Sequence, residues 1–134
     1  MKKLNEIKEI KEIVVQTIKL SDEFHRFLGN NELKEKDDIK IRYSQEDLKE
    51  RRKLSGYLES FDDDTVLTIQ AIMYIGRDEV YSNKTYSDEA EVWAKIEEKK
   101  KTLEFETKET EVDQMVSKSP LGDYLRLGLK LLGL

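Results

Sequence analysis

The sequence predicts an all-α protein, a compact single domain of five or six helices packed around one central apolar helix over about Asp64–Ile75. Three observations carry that prediction. Apolar residues recur at three- and four-residue steps along most of the chain. Acids and hydroxyls that suit helix starts precede those runs, and glycines follow several of them. One run, Val66 to Ile75, is apolar around nearly its whole circumference, as expected of a helix wrapped by others rather than lying on a surface.

Size and composition frame the reading. A chain of 134 residues corresponds to one domain and buries about two-thirds of its unfolded surface. Charged residues make up 40% of it, with both signs interleaved and a net charge of -5, which favours solubility and argues against a nucleic-acid or anionic-membrane surface. With no cysteine, disulfides and thiolate metal sites are excluded. The opening residues turn acidic at Glu6, too early for a signal peptide, and no apolar run approaches spanning length. The cytoplasm is the expected compartment.

Residues 1–30 read as a long amphipathic helix, with Leu4, Ile7, Ile10, Val14, Ile18, Phe24, Phe27 and Leu28 on its apolar side. Gly29-Asn30-Asn31 stops it, and Ser21-Asp22-Glu23 is a candidate break. Glu32–Asp38 reads as a solvated connection and Ile39–Tyr43 as an extended linker, after which 44–134 forms the helical core. Ser44-Gln45-Glu46-Asp47 resembles a capping box opening a second helix that buries Leu48, Leu54, Tyr57, Leu58 and Phe61. The central helix follows. Asp62, Asp63 and Asp64 satisfy its first turn, and Gly76 suits the left-handed position that ends a helix. A polar loop through Tyr86 leads to a helix capped by Ser87-Asp88-Glu89, with Val92, Trp93, Ile96 and Leu103 on one side and Lys99-Lys100-Lys101 on the other. Lys108–Glu111 reads as a polar turn, Val112–Val116 as a short helix, and Ser119-Pro120 as the start of the last helix, Leu121–Leu132. Gly128 in that helix admits a close neighbouring backbone.

Two motifs carry a resemblance. Tyr74-Ile75-Gly76-Arg77-Asp78 and the terminal Ser119-Pro120-Leu121-Gly122-Asp123-Tyr124-Leu125-Arg126-Leu127-Gly128-Leu129 resemble a family of small, uncharacterised bacterial domains. In that family an apolar helix meets a Gly-Arg-Gly or Gly-Arg-Asp corner, and the chain closes on a Pro-Leu, Asp-Tyr-Leu, Gly-Leu helix. The resemblance spans most of the chain after about Thr17. It implies a helical fold and marks Gly76, Arg77, Asp78, Asp123 and Tyr124, with no assigned reaction.

Among candidate sites the Gly76-Arg77-Asp78 corner leads, because a cation just past a helix C-terminus meets the negative end of the dipole and an adjacent acid can orient it. Arg77 could equally bridge to Asp123 as scaffold. Tyr81 and Tyr124 complete a ligand- or partner-binding set. Asp62–Asp64 offer oxygen ligands of the kind magnesium or calcium takes, but consecutive acids diverge and capping accounts for them. His25, the only histidine, lies beside an apolar stripe and reads as structural. The basic runs Arg51-Arg52-Lys53 and Lys99-Lys100-Lys101 are flanked by Glu50 and by Glu97-Glu98, so nucleic acid is not the expected partner. No Ser-His-Asp context, HExxH or phosphate loop is present, and no metal or cofactor is expected. The leucines at 121, 125, 127, 129, 131, 132 and 134 form an arc wide enough for deep burial or for a homodimer interface. The functional expectation is a non-enzymatic regulatory module that binds another protein, in the manner of a phage or mobile-element inhibitor of a bacterial enzyme. The alternative is a small-ligand or nucleotide site at the Gly76 corner.

Overall fold

The computed structural model describes residues 7–34, 45–117 and 121–134, and among them it contains six helices and no strand. They are α1 (Ile7–Lys34), α2 (Gln45–Glu59), α3 (Asp63–Asp78), α4 (Glu89–Lys100), α5 (Lys108–Ser117) and α6 (Leu121–Leu131). The Ile39–Tyr43 linker, Ser44 of the expected capping box and the Ser119-Pro120 start lie outside the described residues, as do the side chains of His25 and Leu48.

The central helix is α3, as the sequence predicts. Val66, Ile69, Ala71, Ile72, Met73 and Ile75 are buried on it, together with Thr65, Thr68 and Gln70. Its start is set by Asp62, whose Oδ1 accepts the Thr65 N–H at 2.9 Å and so satisfies one of the open donors of the first turn. α4 starts in the same way. Asp88 Oδ1 accepts from Glu91 N at 2.9 Å, while Glu91 Oε2 reaches back to Ser87 N at 2.7 Å, a reciprocal capping pair. At the other end of the chain Gly133, with φ of 75°, turns α6 out of its helix. Leu134 N bonds Leu129 O at 2.8 Å and Gly133 N bonds Lys130 O at 3.0 Å, the pairing of a Schellman end.

Four boundaries differ from the sequence reading. α1 runs unbroken through Ser21-Asp22-Glu23 and through Gly29-Asn30-Asn31 to Lys34. Ser21 is fully buried in its interior, so tertiary packing outweighs the capping tendency of its hydroxyl. Lys108–Glu111 is the first turn of α5 and not a free turn, because the Thr107 hydroxyl accepts the Thr110 N–H at 3.1 Å and caps it. Gly76 does not end α3, which continues to Asp78 with right-handed backbone throughout.

Gly76 and Gly128 are glycines for a different reason. α3 and α6 cross so closely that a Cβ on Gly76 would stand 1.9 Å from the Tyr124 carbonyl oxygen and 2.6 Å from Gly128 N. A Cβ on Gly128 would stand 2.2 Å from the Ile72 carbonyl oxygen. Each glycine faces backbone of the other helix, and backbone cannot swing aside as a side-chain tip can. The remaining elements assemble on this pair: α1 against α2 and α6, α4 against α3, and α5 against α2 and α3. Trp93, Leu103, Phe105, Phe61 and Tyr86 close the periphery as half-buried side chains on the core.

These spacings predict opposite results for three alanine substitutions. Gly76→Ala and Gly128→Ala should each destabilise by about 2 kcal/mol or more, since overpacking against rigid neighbours has no relief, and lower the melting temperature by on the order of 5 °C or more. Gly56→Ala should hold or raise it, because nothing lies within 4 Å of a Cβ at Gly56 and alanine is the better helix residue. Equal melting temperatures for the three variants would contradict the crossing.

Candidate functional site

The last turn of α3 gathers more charge than any dipole argument alone would place there. Arg77, Asp78 and Glu79 end the helix, and two of the three are acids at its negative pole. α4 compensates from the side. Lys95 Nζ lies 2.6 Å from Glu79 Oε1 and 3.7 Å from Glu98, and Lys99 Nζ lies 3.4 Å from Asp78 Oδ2 and 3.6 Å from Glu79 Oε2. Arg77 turns the other way along its own helix. Its Nε donates to Asp78 Oδ1 at 2.7 Å and its guanidinium carbon stands 4.3 Å over the Tyr74 ring, a cation–π geometry. The hydrogen bond to Asp78 raises the Arg77 pKa, and the same contact from Arg77 lowers the pKa of Asp78. At Lys95 burial works against the charge, but the Glu79 hydrogen bond and the surrounding acids outweigh it and raise the pKa.

The residues singled out in the sequence separate into two groups. Gly76, Arg77, Asp78 and Tyr124 do come together, with Gly76 pressed on the Tyr124 backbone. Asp123 goes elsewhere: it accepts from Arg126 Nη1 at 2.7 Å, and Arg126 also pairs with Asp22 of α1. In place of the suggested Arg77–Asp123 bridge, Arg77 pairs with its neighbour Asp78, and Asp123 pairs with Arg126 three residues along its own helix, the spacing that brings helix side chains together. Tyr81 joins neither group. It projects from the segment after α3 with 93% of its surface exposed, and Val80 beside it is 41% exposed. That segment is held at both ends, by the Lys95 and Lys99 contacts to Glu79 and by half-buried Tyr86, over whose ring Lys84 Nζ stands at 5.5 Å. Lys84, Thr85, Tyr86, Glu91, Ala94, Lys95 and Glu98 line a cleft of ≈ 230 Å³ behind it.

Four other groups bear on the site: the lysine run, the acids at the start of α3, a buried polar pair that sequence reasoning missed, and the terminal leucines. The Lys99–Lys101 run, set opposite the apolar side of its helix in the sequence reading, is not uniformly exposed. Lys100 is nearly buried, with its Nζ 2.7 Å from Asp64 Oδ1 and 3.1 Å from Glu97 Oε1, and although burial opposes its charge these bonds raise its pKa. Asp62 serves as the α3 cap and Asp64 as the partner of Lys100, and among the described residues no three His, Asp or Glu side chains are grouped to hold a metal ion. A buried polar pair links α3 to α5: Gln70 Nε2 donates to Glu111 Oε1 at 2.9 Å, and Glu111 Oε2 accepts from Glu106 N at 3.2 Å. Gln70 Oε1 has no partner. Leu121, Leu125, Leu129 and Leu132 are consumed inside the monomer, whereas Leu127, Leu131 and Leu134 remain half-buried.

A family model described as "Protein of unknown function (DUF3775)" matches residues 51–134. The chain belongs to this family. The DUF3775 match starts within α2 and takes in α3 to α6, so both the Gly76–Gly128 crossing and the Tyr81 loop fall inside it, while α1 falls outside. No curated protein and no solved structure matches the chain. Among the described residues no helix is long and apolar enough to cross a membrane.

Two predictions follow from the charged and polar pairs. Asp62 and Asp78 both have carboxyl pKa values below the ordinary 3.8, Asp62 chiefly through its hydrogen bonds with Thr65 and Asp78 chiefly through the hydrogen bond from Arg77. A group depressed on folding stabilises fully above its unfolded value and loses that contribution as pH falls through the folded one. The melting temperature should therefore fall below about pH 4. Asp62→Asn, which can still cap but does not titrate, should flatten that fall. An unchanged acid limb would remove Asp62 from it. Glu111→Ala should destabilise by about 1–3 kcal/mol in urea titration by leaving the Gln70 amide unpaired, whereas Gln70→Leu with Glu111→Leu should be nearer neutral. A double variant as unstable as the single one would show that the pair is more than a satisfied core contact.

Proposed function

We propose that this protein is a non-enzymatic, cytoplasmic regulatory module that acts by binding another protein through the loop after α3. The observation that carries the reading is the adjacent exposure of Val80 and Tyr81 on a segment whose two ends are fixed. Exposed Tyr beside an aliphatic residue brings large contact area with few rotors to freeze, which is why tyrosine is enriched at interface hot spots. Arg77 and Asp78, both about 40% exposed in their side chains, form a polar rim beside it. Inhibition of a bacterial enzyme, as phage or mobile-element proteins achieve, is one form such binding takes. For a second copy of the chain, the leucine-rich C-terminal segment offers only Leu127, Leu131 and Leu134, all half-buried.

The test replaces Tyr81 with a photo-crosslinking amino acid in the full chain inside growing cells. A discrete protein adduct at position 81, lost when Val80 is changed to Asp and missing when the same group is placed at exposed Gly56, supports the reading. Melting temperatures of Tyr81→Ala and Val80→Asp should stay within about 1 °C of the parent, since neither side chain is buried. Adducts identical at positions 81 and 56, or none at either, would overturn it.

A further inference from the structure

Between α4 and α5 the chain runs through residues 103–107 without helix, turn or bend. It is held at both ends. Thr102 N and Leu103 N donate to Lys99 O and Lys100 O at 3.0 and 3.2 Å where α4 ends, and Thr107 O accepts from Glu111 N at 2.9 Å where α5 begins. Between those anchors the side chains alternate: Leu103 and Phe105 pack on the core, while Glu104 and Glu106 are exposed. Inward and outward side chains in alternation are the period of a β-strand. The segment thus has the form of one strand, and no second strand lies beside it among the described residues.

In a strand the N–H and C=O of one residue point to the same edge, and successive residues serve opposite edges. The edge of Glu104 and Glu106 is partly used by α5, since Glu106 N donates to Glu111 Oε2 at 3.2 Å. The edge of Phe105 is open. Leu103 O, both polar groups of the Phe105 backbone and Thr107 N have no hydrogen-bond partner among the described residues. Backbone groups buried without a partner are rare, so these face water. Together they form the ladder of acceptors and donors that an added strand completes.

Charge selects the occupant. A second copy paired antiparallel about Phe105 would set the Glu104 of each chain opposite the Glu106 of the other, and like charges directly opposite are destabilising. A strand with Lys or Arg at those places would pair both acids instead. The surroundings carry the same sign: Glu97, Glu98 and Glu109 are exposed too, whereas Lys95, Lys99 and Lys100 are drawn into ion pairs with Glu79, Asp78 and Asp64, which leaves Lys101 as the exposed lysine of its run.

We propose that residues 103–107 are a strand-addition site, on which a partner protein lays an extended segment with Lys or Arg at alternate positions. Its backbone bonds to Leu103, Phe105 and Thr107, and its cations meet Glu104 and Glu106. The site follows α4, whereas the Tyr81 loop precedes it, and its test uses a peptide of set composition, so either proposal can fail without the other.

The probe is a fluorescent peptide of alternating lysine and valine, added to the full chain at low salt and followed by anisotropy. With its lysines opposite Glu104 and Glu106, it turns valine N–H and C=O groups to the Phe105 edge. It should bind with a Kd on the order of 100 µM. N-methylation of the valines, which removes those donors, should weaken binding at least about tenfold, as should Glu104→Lys with Glu106→Lys in the protein. Both glutamates are exposed, so that variant should melt within about 2 °C of the parent. Saturating peptide should slow hydrogen exchange of the Phe105 and Thr107 amides and leave that of Glu104, on the other edge, unchanged. No binding at about 1 mM peptide, equal binding after N-methylation or in the lysine variant, or equal slowing at Glu104 and Phe105 would each overturn the proposal. If the lysine variant does not fold, the N-methylated peptide and the exchange pattern on the unmodified chain decide.

Discussion

Two backbones pressed together at Gly76 and Gly128 set the spacing of the whole molecule. At this crossing the hydrogen each glycine carries in place of a side chain points at a carbonyl of the facing helix, Tyr124 O from Gly76 and Ile72 O from Gly128. Such contacts are weak individually, but they leave no void and allow no insertion. Because α3 and α6 approach so nearly, Leu121, Leu125 and Leu129 of α6 reach into the buried cluster around α3, and the other helices cover what remains. A methyl group at either glycine would separate the two helices and loosen every contact built on their spacing.

Electrostatics serves the same architecture at its edges. The acids at the C-terminal end of α3 would be unfavourable against its dipole, yet Arg77, Lys95 and Lys99 neutralise them and in doing so fasten α4 to α3. Lys100 does likewise at the opposite end of α3 through Asp64, whose side chain is still 73% exposed, so the pair avoids the full desolvation cost of a buried ion pair. The charges that dominate the composition thus act as local fasteners. Between two of them the chain leaves α3, and there Val80 and Tyr81 are exposed side by side.

α1 stands in a different relation to the core. It is long, continuous and amphipathic, it buries Thr17 and Ser21 between Val14 and Phe24, and it lies outside the residues 51–134 that the family model matches.

What the sequence determined by itself was the all-helical class, the central position of Val66–Ile75, the Asp62 and Asp88 starts, and the need for a small residue at Gly128. These are local or periodic features, and local periodicity is visible without coordinates. Only the tertiary structure decided that Gly76 is a packing residue and not a helix stop, because the two roles require the same amino acid and differ only in what stands opposite it. The same holds for Thr17 and Ser21, which are fully buried on α1 where the pattern of apolar residues pointed to Ile18, and for Lys100, buried within a Lys99–Lys101 run that the sequence set opposite the apolar side of its helix. It holds again for Asp123, which pairs within its own helix and not with Arg77. In each case the deciding quantity is a distance between residues far apart in sequence or a choice between faces of one helix. Such quantities arise only when the helices settle against one another.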